Sequence, residues 1–174
     1  MIVSNHIINK IDVPVGTIAR LNLAWVKSKQ EAQDILDNSK FPVYLDFPYG
    51  RTKPPKPVLT LDDAIELSHH DRVLYLAVSN AEDIEVLKDI QSKLDDVELI
   101  PKIETIKGVE NIDDMISMGI KTIMLDKEDL YTDVDCDADR FEELTGIVRA
   151  YKDNIKILEL QGVIFEWTTK YIKN

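Results

Sequence analysis

The sequence predicts an α/β protein built on a mainly parallel sheet. Six apolar runs have the composition of buried strands: Thr17–Val26, Phe41–Phe47, Arg72–Val78, Val97–Glu104, Thr122–Leu125 and Ile155–Leu160. Segments with helical spacing of apolar residues lie between most of them, among them Val109–Met118 and Asp139–Tyr151. Strands that alternate with helices form βαβ units, whose strands run parallel.

Capping signals support the predicted helices. A hydroxyl residue followed by an acid at the third position after it predicts a helix start, and the sequence has this pattern at Ser28 with Glu31, Thr60 with Asp63, and Ser79 with Glu82. Gly119 follows one helical segment, where glycine is the preferred C′ residue. These signals place helices after the first four of the six predicted strands.

The two ends of the chain fit the pattern less well. Met1–Ile11 has the composition of a strand, but Asp12–Gly16 is too short to hold a crossover helix. We therefore expect this first segment to pair antiparallel with its neighbour or to pack elsewhere. Val163–Lys173 is compatible with either a helix or a hairpin partner formed across Gln161 and Gly162.

Composition bounds the class of protein. The 174 residues suit one domain, 1–174, and the net charge of -11 without a concentrated basic face argues against nucleic acid as a partner. No apolar run approaches the roughly 18 residues that span a bilayer, so no membrane association is expected. The N-terminal residues do not read as a signal peptide, and the single Cys136 fits a reducing compartment, so the expected location is the cytoplasm.

A candidate metal site follows from side-chain parity. Lys102 and Glu104 are two apart at the end of one strand and therefore share a face, and Asp129 follows the next strand. Because the carboxyl ends of neighbouring parallel strands meet at one rim, Glu104 and Asp129 could converge on one cation. Two carboxylates with water and substrate oxygens are a common Mg²⁺ arrangement.

Further polar residues end two earlier strands. Arg20 and Asn22 share a face, and Asp46 ends the strand that follows. A cluster of Arg20, Lys102 and a metal ion would suit a phosphate or carboxylate ligand.

The segment Leu99–Leu130 resembles the metal-binding segment of pyruvate kinases. Lys102-Ile103-Glu104 and Asp129-Leu130 match that family's Lys-Ile-Glu and Asp-Leu, and Ala19–Asn22 is similar to its Ala-Arg-Met-Asn strand. The matches fall in family order over roughly residues 17 to 161. The resemblance implies an incomplete or modified TIM-type (β/α) barrel with about six core parallel strands, two fewer than a closed barrel needs.

The resemblance also implies a role for each matching residue. Glu104 and Asp129 would bind Mg²⁺ or Mn²⁺, Lys102 would be the catalytic lysine that contacts substrate, Arg20 would contact a substrate phosphate, and Asn22 and Asp46 would belong to a K⁺ site. The departures are equally clear, because only Arg51–Asp71 replaces the family's lid domain and Lys127-Glu128 replaces its Arg-Gly before the aspartate.

Three functions stay open at this point. The first is an enzyme that acts on phosphoenolpyruvate, pyruvate or a similar small acid, with phosphoryl transfer as one case. The second is a metal-dependent lyase like the citrate-lyase β and 2-oxo-acid aldolase families, whose Ile-Glu-Thr and Asp-Leu pattern Ile103–Thr105 and Asp129-Leu130 also satisfy. The third is a non-catalytic binding or assembly protein.

An incomplete barrel has two open edges. Strand edges expose unpaired N–H and C=O groups, and the apolar segments Met1–Ile11 and Val163–Lys173 could cover them. We therefore expect a homodimer, although pairing of the two termini within one chain is the alternative.

Overall fold

Seven parallel strands form one sheet in the computed structural model, which describes residues 1–8, 10–51 and 55–160. The strands are β1 Ile2–Ser4, β2 Ile18–Asn22, β3 Val43–Phe47, β4 Val73–Val78, β5 Glu98–Ile103, β6 Thr122–Asp126 and β7 Lys156–Leu160. All six predicted core strands are present, and β1 is added to them at the N-terminal end.

Helices follow almost every strand. They are α1 Asn5–Ile8, α2 Lys29–Asp37, α3 Leu61–Ser68, α4 Ile84–Ser92, α5 Ile106–Glu110, α6 Ile112–Ser117, α7 Lys127–Asp133 and α8 Ala138–Ala150, with 3₁₀ turns at Leu23–Trp25 and Tyr151–Asp153. The single helix expected over 109–118 is two short helices that break at Asn111. Gly119, with φ of +90°, ends the second of them as predicted.

The order of strands in the sheet is the order in the chain, from β1 to β7. Because βαβ crossovers are right-handed, a sequential parallel order places the helices on one face and lets the sheet curl around the other. No pairing joins β1 to β7 within the described residues, so they form a curled half-barrel. The expected incomplete α/β barrel-like fold is confirmed, whereas the count of six strands and the TIM type are not.

The N-terminal segment corrects one prediction. Residues Ile2–Ser4 pair parallel with β2, with Ile2 opposite Ile18, and not antiparallel as expected. The prediction was wrong because it treated the whole of Met1–Ile11 as a strand. The strand is only three residues long, so residues 5–17, including the one-turn α1, are free to form the crossover.

Two of the three predicted caps are confirmed. The Ser28 hydroxyl accepts from the Glu31 N–H, and Thr60 forms a complete capping box with Asp63. Ser79 does not cap a helix. Asp83 caps α4 instead, by accepting from the N–H groups of Glu85 and Val86.

Two apolar clusters hold the sheet from opposite sides. The larger lies between the sheet and the helices, and the smaller lies on the concave face. The concave cluster consists of four buried side chains, Tyr44, Ala77, Ile100 and Met124, with partly buried neighbours that include Tyr75 and Leu158. It forms an apolar floor beneath the carboxyl ends of the strands.

The segment Val163–Lys173 lies outside the described residues, so its predicted helix or hairpin is untested. Within residues 1–8, 10–51 and 55–160, no helix combines the length and the apolar character that crossing a membrane would require. The homodimer stays a prediction.

Candidate active site

The concave face of the sheet changes from apolar to charged toward the carboxyl ends of the strands. Residues two apart on a strand share a face. On three strands, the next residue on the same face after a residue of the apolar floor is charged. These pairs are Tyr44 with Asp46, Ile100 with Lys102, and Met124 with Asp126. All three charged side chains are buried.

Lys102 is the centre of the charged layer. Its Nζ lies 2.6 Å from Glu104 Oε1, 3.2 Å from Asp126 Oδ2 and 3.8 Å from Asp46 Oδ1, and the residue is 4% exposed. Burial by itself would lower the pKa of Lys102, but the charges of the three carboxylates outweigh it and raise this pKa above its ordinary value. Lys102 is therefore a fixed cation at neutral pH, and it does not offer a free amine for Schiff-base chemistry.

Glu104 is held by three donors. Besides Lys102, its Oε1 accepts from the Ser79 hydroxyl at 3.3 Å and its Oε2 accepts from the Asn80 backbone N–H at 3.0 Å. Burial raises the pKa of the Glu104 carboxyl above its ordinary value, although Lys102 and the Asn80 N–H oppose that shift. The end of β5 thus presents a buried carboxylate in a defined orientation.

Arg20 and Asp46 form a second ion pair at the ends of β2 and β3. Arg20 Nε donates to Asp46 Oδ2 at 2.8 Å, and Arg20 Nη2 also contacts that oxygen. Since Asp46 is near Lys102 as well, Arg20 and Lys102 belong to one network. Asn22 has a different role, because its side chain accepts from the Ala24 N–H and caps the 3₁₀ turn that follows β2. The K⁺ site predicted from Asn22 and Asp46 stays a prediction.

Three carboxylates meet above Lys102. One oxygen each of Glu104, Asp126 and Asp129 lies within 4.8 Å of the other two. They come from the end of β5, the end of β6 and the first turn of α7. In an octahedral Mg²⁺ site with bonds of about 2.1 Å, ligand oxygens lie about 3–4 Å apart, so small inward shifts would let all three reach one ion. An all-oxygen donor set suits Mg²⁺ or Mn²⁺.

A cavity of about 380 Å³ opens beside these carboxylates. Its walls come from the segment after β3, the end of β4, the start of α5 and the helix α7, and they include Arg51, Asn80, Glu104, Asp129 and Asp133. This volume suits a small metabolite. Among the described residues that line the cavity, Arg51 is the one cation.

Sequence reasoning placed several residues of this site correctly in relation to one another. Lys102, Glu104 and Asp129 lie together, as the parity of β5 and the order of strands predicted. Arg20 and Lys102, predicted to contact substrate, do not line the cavity, so their substrate roles stay predictions.

Three contributors were missed. Asp126 was overlooked because the strand was expected to end at Leu125. The sequence could have shown it, because Asp126 lies two residues after Met124 and therefore shares its face of the strand. Ser79 was taken for a helix cap, and the contact of the Asn80 backbone has no sequence signature.

Fold and site together define an open, sequentially wound α/β half-barrel with an acidic cluster at the carboxyl edge of its sheet. No family model matches the sequence, and no curated protein matches it. Solved structures share the fold. RipC from Yersinia pestis superposes with a TM-score of 0.60 at 17% identity, over 86% of this chain and 72% of RipC.

A citrate lyase from Burkholderia xenovorans LB400 superposes with a TM-score of 0.62 at 11% identity. The match covers 86% of this chain but only 57% of the citrate lyase. At such low identity the likeness shows the fold alone. Neither structure is a pyruvate kinase, so the pyruvate-kinase resemblance gains no support here, whereas the citrate-lyase alternative is supported at the level of fold.

Proposed function

We propose that this chain is a divalent-metal-dependent enzyme of the lyase type, which stabilises the enolate of a small carboxylic acid. The observation that carries the proposal is the meeting of Glu104, Asp126 and Asp129 within 4.8 Å of one another, two of them on the wall of a cavity of about 380 Å³. The fold shared with a citrate lyase supports this class over phosphoryl transfer.

The charge of the network favours a divalent cation. Among the described residues, Arg20 and Lys102 form ion pairs with Asp46, Glu104 and Asp126, and these five groups carry a formal charge of −1 when all are ionised. Asp129 adds a further carboxylate beside Glu104 and Asp126. Concentrating negative charge in a partly buried site is unfavourable unless a cation offsets it, and a divalent cation bound there would do so.

The ion and the protein groups around it would have different roles in the reaction. A divalent ion bound there would supply Lewis-acid stabilisation of the negative oxygen of an enolate. Lys102 contacts one oxygen each of Glu104 and Asp126, and the other oxygen of each carboxylate would be available to bind the ion. The apolar floor beneath them, with Tyr44 fully buried, keeps water away from the charged layer and strengthens its electrostatics.

The first test is enolate formation itself, which needs no knowledge of the second substrate. The purified protein with Mg²⁺ or Mn²⁺ should accelerate exchange of the methyl protons of pyruvate, or of the α-protons of another short carboxylic acid, in deuterated water. Proton NMR follows this exchange directly. Glu104→Gln should abolish the acceleration, because it removes a charged ligand while it preserves side-chain shape.

Glu110→Gln is the matched control, since it makes the same chemical change at an exposed position on α5. It should exchange protons like the wild type. If the wild-type protein binds the ion but exchanges no protons of any short acid, the non-catalytic alternative replaces this proposal. If it binds no divalent ion, the metal site is wrong.

A further inference from the structure

The residue after the fourth strand joins the two sides of the proposed site. Asn80 donates its backbone N–H to Glu104 Oε2 at 3.0 Å, and its side-chain Nδ2 donates to the carbonyl oxygen of Tyr49 at 2.6 Å. One contact fixes a proposed metal ligand, and the other fixes the segment that follows β3. Asn80 is thus a direct physical link between them.

That segment carries Arg51, the cation among the described residues that line the cavity. Tyr49 and Gly50 form a turn in which the Arg51 N–H donates to the Pro48 carbonyl oxygen at 3.2 Å. Gly50 has φ of +68°, and a Cβ there would lie 3.2 Å from Asn80 Nδ2. The turn therefore needs glycine both for its backbone conformation and for its close approach to Asn80.

Asn80 is itself held in an uncommon conformation. Its φ is +49°, in the left-handed region, where asparagine is tolerated better than most residues. Its carbonyl oxygen accepts from the Glu82 N–H at 2.7 Å, so both backbone groups and the side chain are engaged. A residue that lines a cavity in a sparsely populated backbone conformation is characteristic of a functional position.

We infer that Arg51 binds the carboxylate of the acid substrate, and that Asn80 is a positioning residue which sets the distance between Arg51 and the metal ligand Glu104. The inference rests on the proposed function and names its specificity determinant. The described residues of the cavity wall include three carboxylates, those of Glu104, Asp129 and Asp133, and one cation, Arg51. An acid that uses one oxygen at the ion and a carboxylate at Arg51 matches that pattern, because arginine presents a two-donor fork to carboxylates.

The separation fixed by Asn80 limits the ligand to a short acid. Asn80, Arg51 and Glu104 all line the same cavity of about 380 Å³, so a ligand that contacts both Arg51 and the ion must fit within that volume. Dicarboxylates and 2-oxo acids of a few carbons meet this requirement.

The test separates metal binding from acid binding. Calorimetry with Mn²⁺ alone, and then with oxalate added to the Mn²⁺-loaded protein, should be carried out on the wild type, Arg51→Gln, Arg51→Lys and Asn80→Gly. Arg51→Gln should bind Mn²⁺ within about twofold of the wild type but oxalate at least about tenfold more weakly, since it lacks the charge-assisted hydrogen bonds that the guanidinium donates to a carboxylate. Arg51→Lys should restore part of the loss, because it keeps the charge without the fork.

Asn80→Gly isolates the side chain. Glycine tolerates the positive φ and keeps the backbone N–H that donates to Glu104. The affinity for Mn²⁺ should therefore stay close to that of the wild type, while the affinity for oxalate should fall several-fold. Amide hydrogen exchange at Gly50 and Arg51 should quicken in the same variant, because the bond to Tyr49 is gone.

Each outcome bears on a defined claim. If the wild-type protein does not bind Mn²⁺, both the proposed function and this inference are overturned. Mn²⁺ binding without oxalate binding, or variants that bind oxalate like the wild type, would overturn the roles of Arg51 and Asn80 alone. Unchanged exchange at Gly50 and Arg51 in Asn80→Gly would overturn the positioning role.

Discussion

Lys102 and Asp126 end neighbouring strands, and the ammonium of one lies 3.2 Å from the carboxylate of the other. The same ammonium lies 2.6 Å from Glu104, so one buried cation supports two of the three carboxylates of the candidate metal site. This arrangement gives Lys102 a structural task, which is to hold negative charge in place. That task is independent of any contact between Lys102 and a substrate.

Replacing Lys102 with methionine tests this task. Lys102→Met keeps an unbranched side chain one atom shorter than lysine but leaves Asp46, Glu104 and Asp126 without their shared cation. Removal of one partner from a buried charge pair costs about 3–5 kcal/mol, so the free energy of unfolding should fall by that order. Urea denaturation with and without saturating Mn²⁺ measures the effect.

Mn²⁺ should stabilise Lys102→Met more than it stabilises the wild type, because the ion supplies the missing positive charge. The exposed ion pair of Lys88 with Glu85 offers a control, since Lys88→Met should change the free energy of unfolding by less than about 1 kcal/mol. Equal stability of Lys102→Met and the wild type would contradict the supporting role.

Asp126 should be a metal ligand in its own right. Asp126→Asn removes one of the three carboxylates and should weaken Mn²⁺ binding by at least about tenfold, the lower range of losses seen when metal sites lose supporting groups. Titration calorimetry measures the dissociation constant directly.

Asp133→Asn is the matched control for that change. Asp133 lines the same cavity but lies outside the group of three carboxylates, and an asparagine oxygen can still accept from the Ile106 N–H. It should bind Mn²⁺ nearly as the wild type does. If the two variants lose affinity equally, the ion responds to the general charge of the cavity and not to three specific ligands.

Glu159 lies on β7 at the edge of the described sheet, and it should make the free energy of unfolding depend on pH. Hydrogen bonds from Arg149 and Lys127 lower the pKa of Glu159 to about 2 from its ordinary 4.5. A carboxyl with a lowered folded-state pKa stabilises the protein above its unfolded-state pKa, and this contribution disappears as pH falls toward the folded-state value. Glu159→Gln should therefore be less stable than the wild type at pH 7.

The difference between Glu159→Gln and the wild type should shrink as pH falls from about 4.5 through about 2, because Glu159 becomes neutral like glutamine only below its folded-state pKa. Urea denaturation over that range provides the measurement. A stability difference that stays constant from pH 7 to pH 2 would show that the ion pairs of Glu159 do not contribute through its charge.

The sequence by itself determined the succession of strands and helices and the parity of the residues on them. The shared face of Lys102 and Glu104 follows from the two-residue repeat of a strand, and the nearness of Glu104 to Asp129 follows from parallel order. The caps at Ser28 and Thr60 are equally local, since their partners lie within one helical turn. Local geometry is readable from sequence because it depends on neighbours along the chain.

Only the tertiary structure decided which groups meet across the sheet. The side chain of Asn80 reaches Tyr49, and its backbone reaches Glu104, although neither residue is near it in sequence. Likewise Arg51, and neither Arg20 nor Lys102, lines the cavity, because Asp46, Glu104 and Asp126 hold Arg20 and Lys102 in ion pairs beneath it. Such contacts depend on the curl of the sheet and on competition among charges for a few partners, and neither is encoded in any single stretch of the chain.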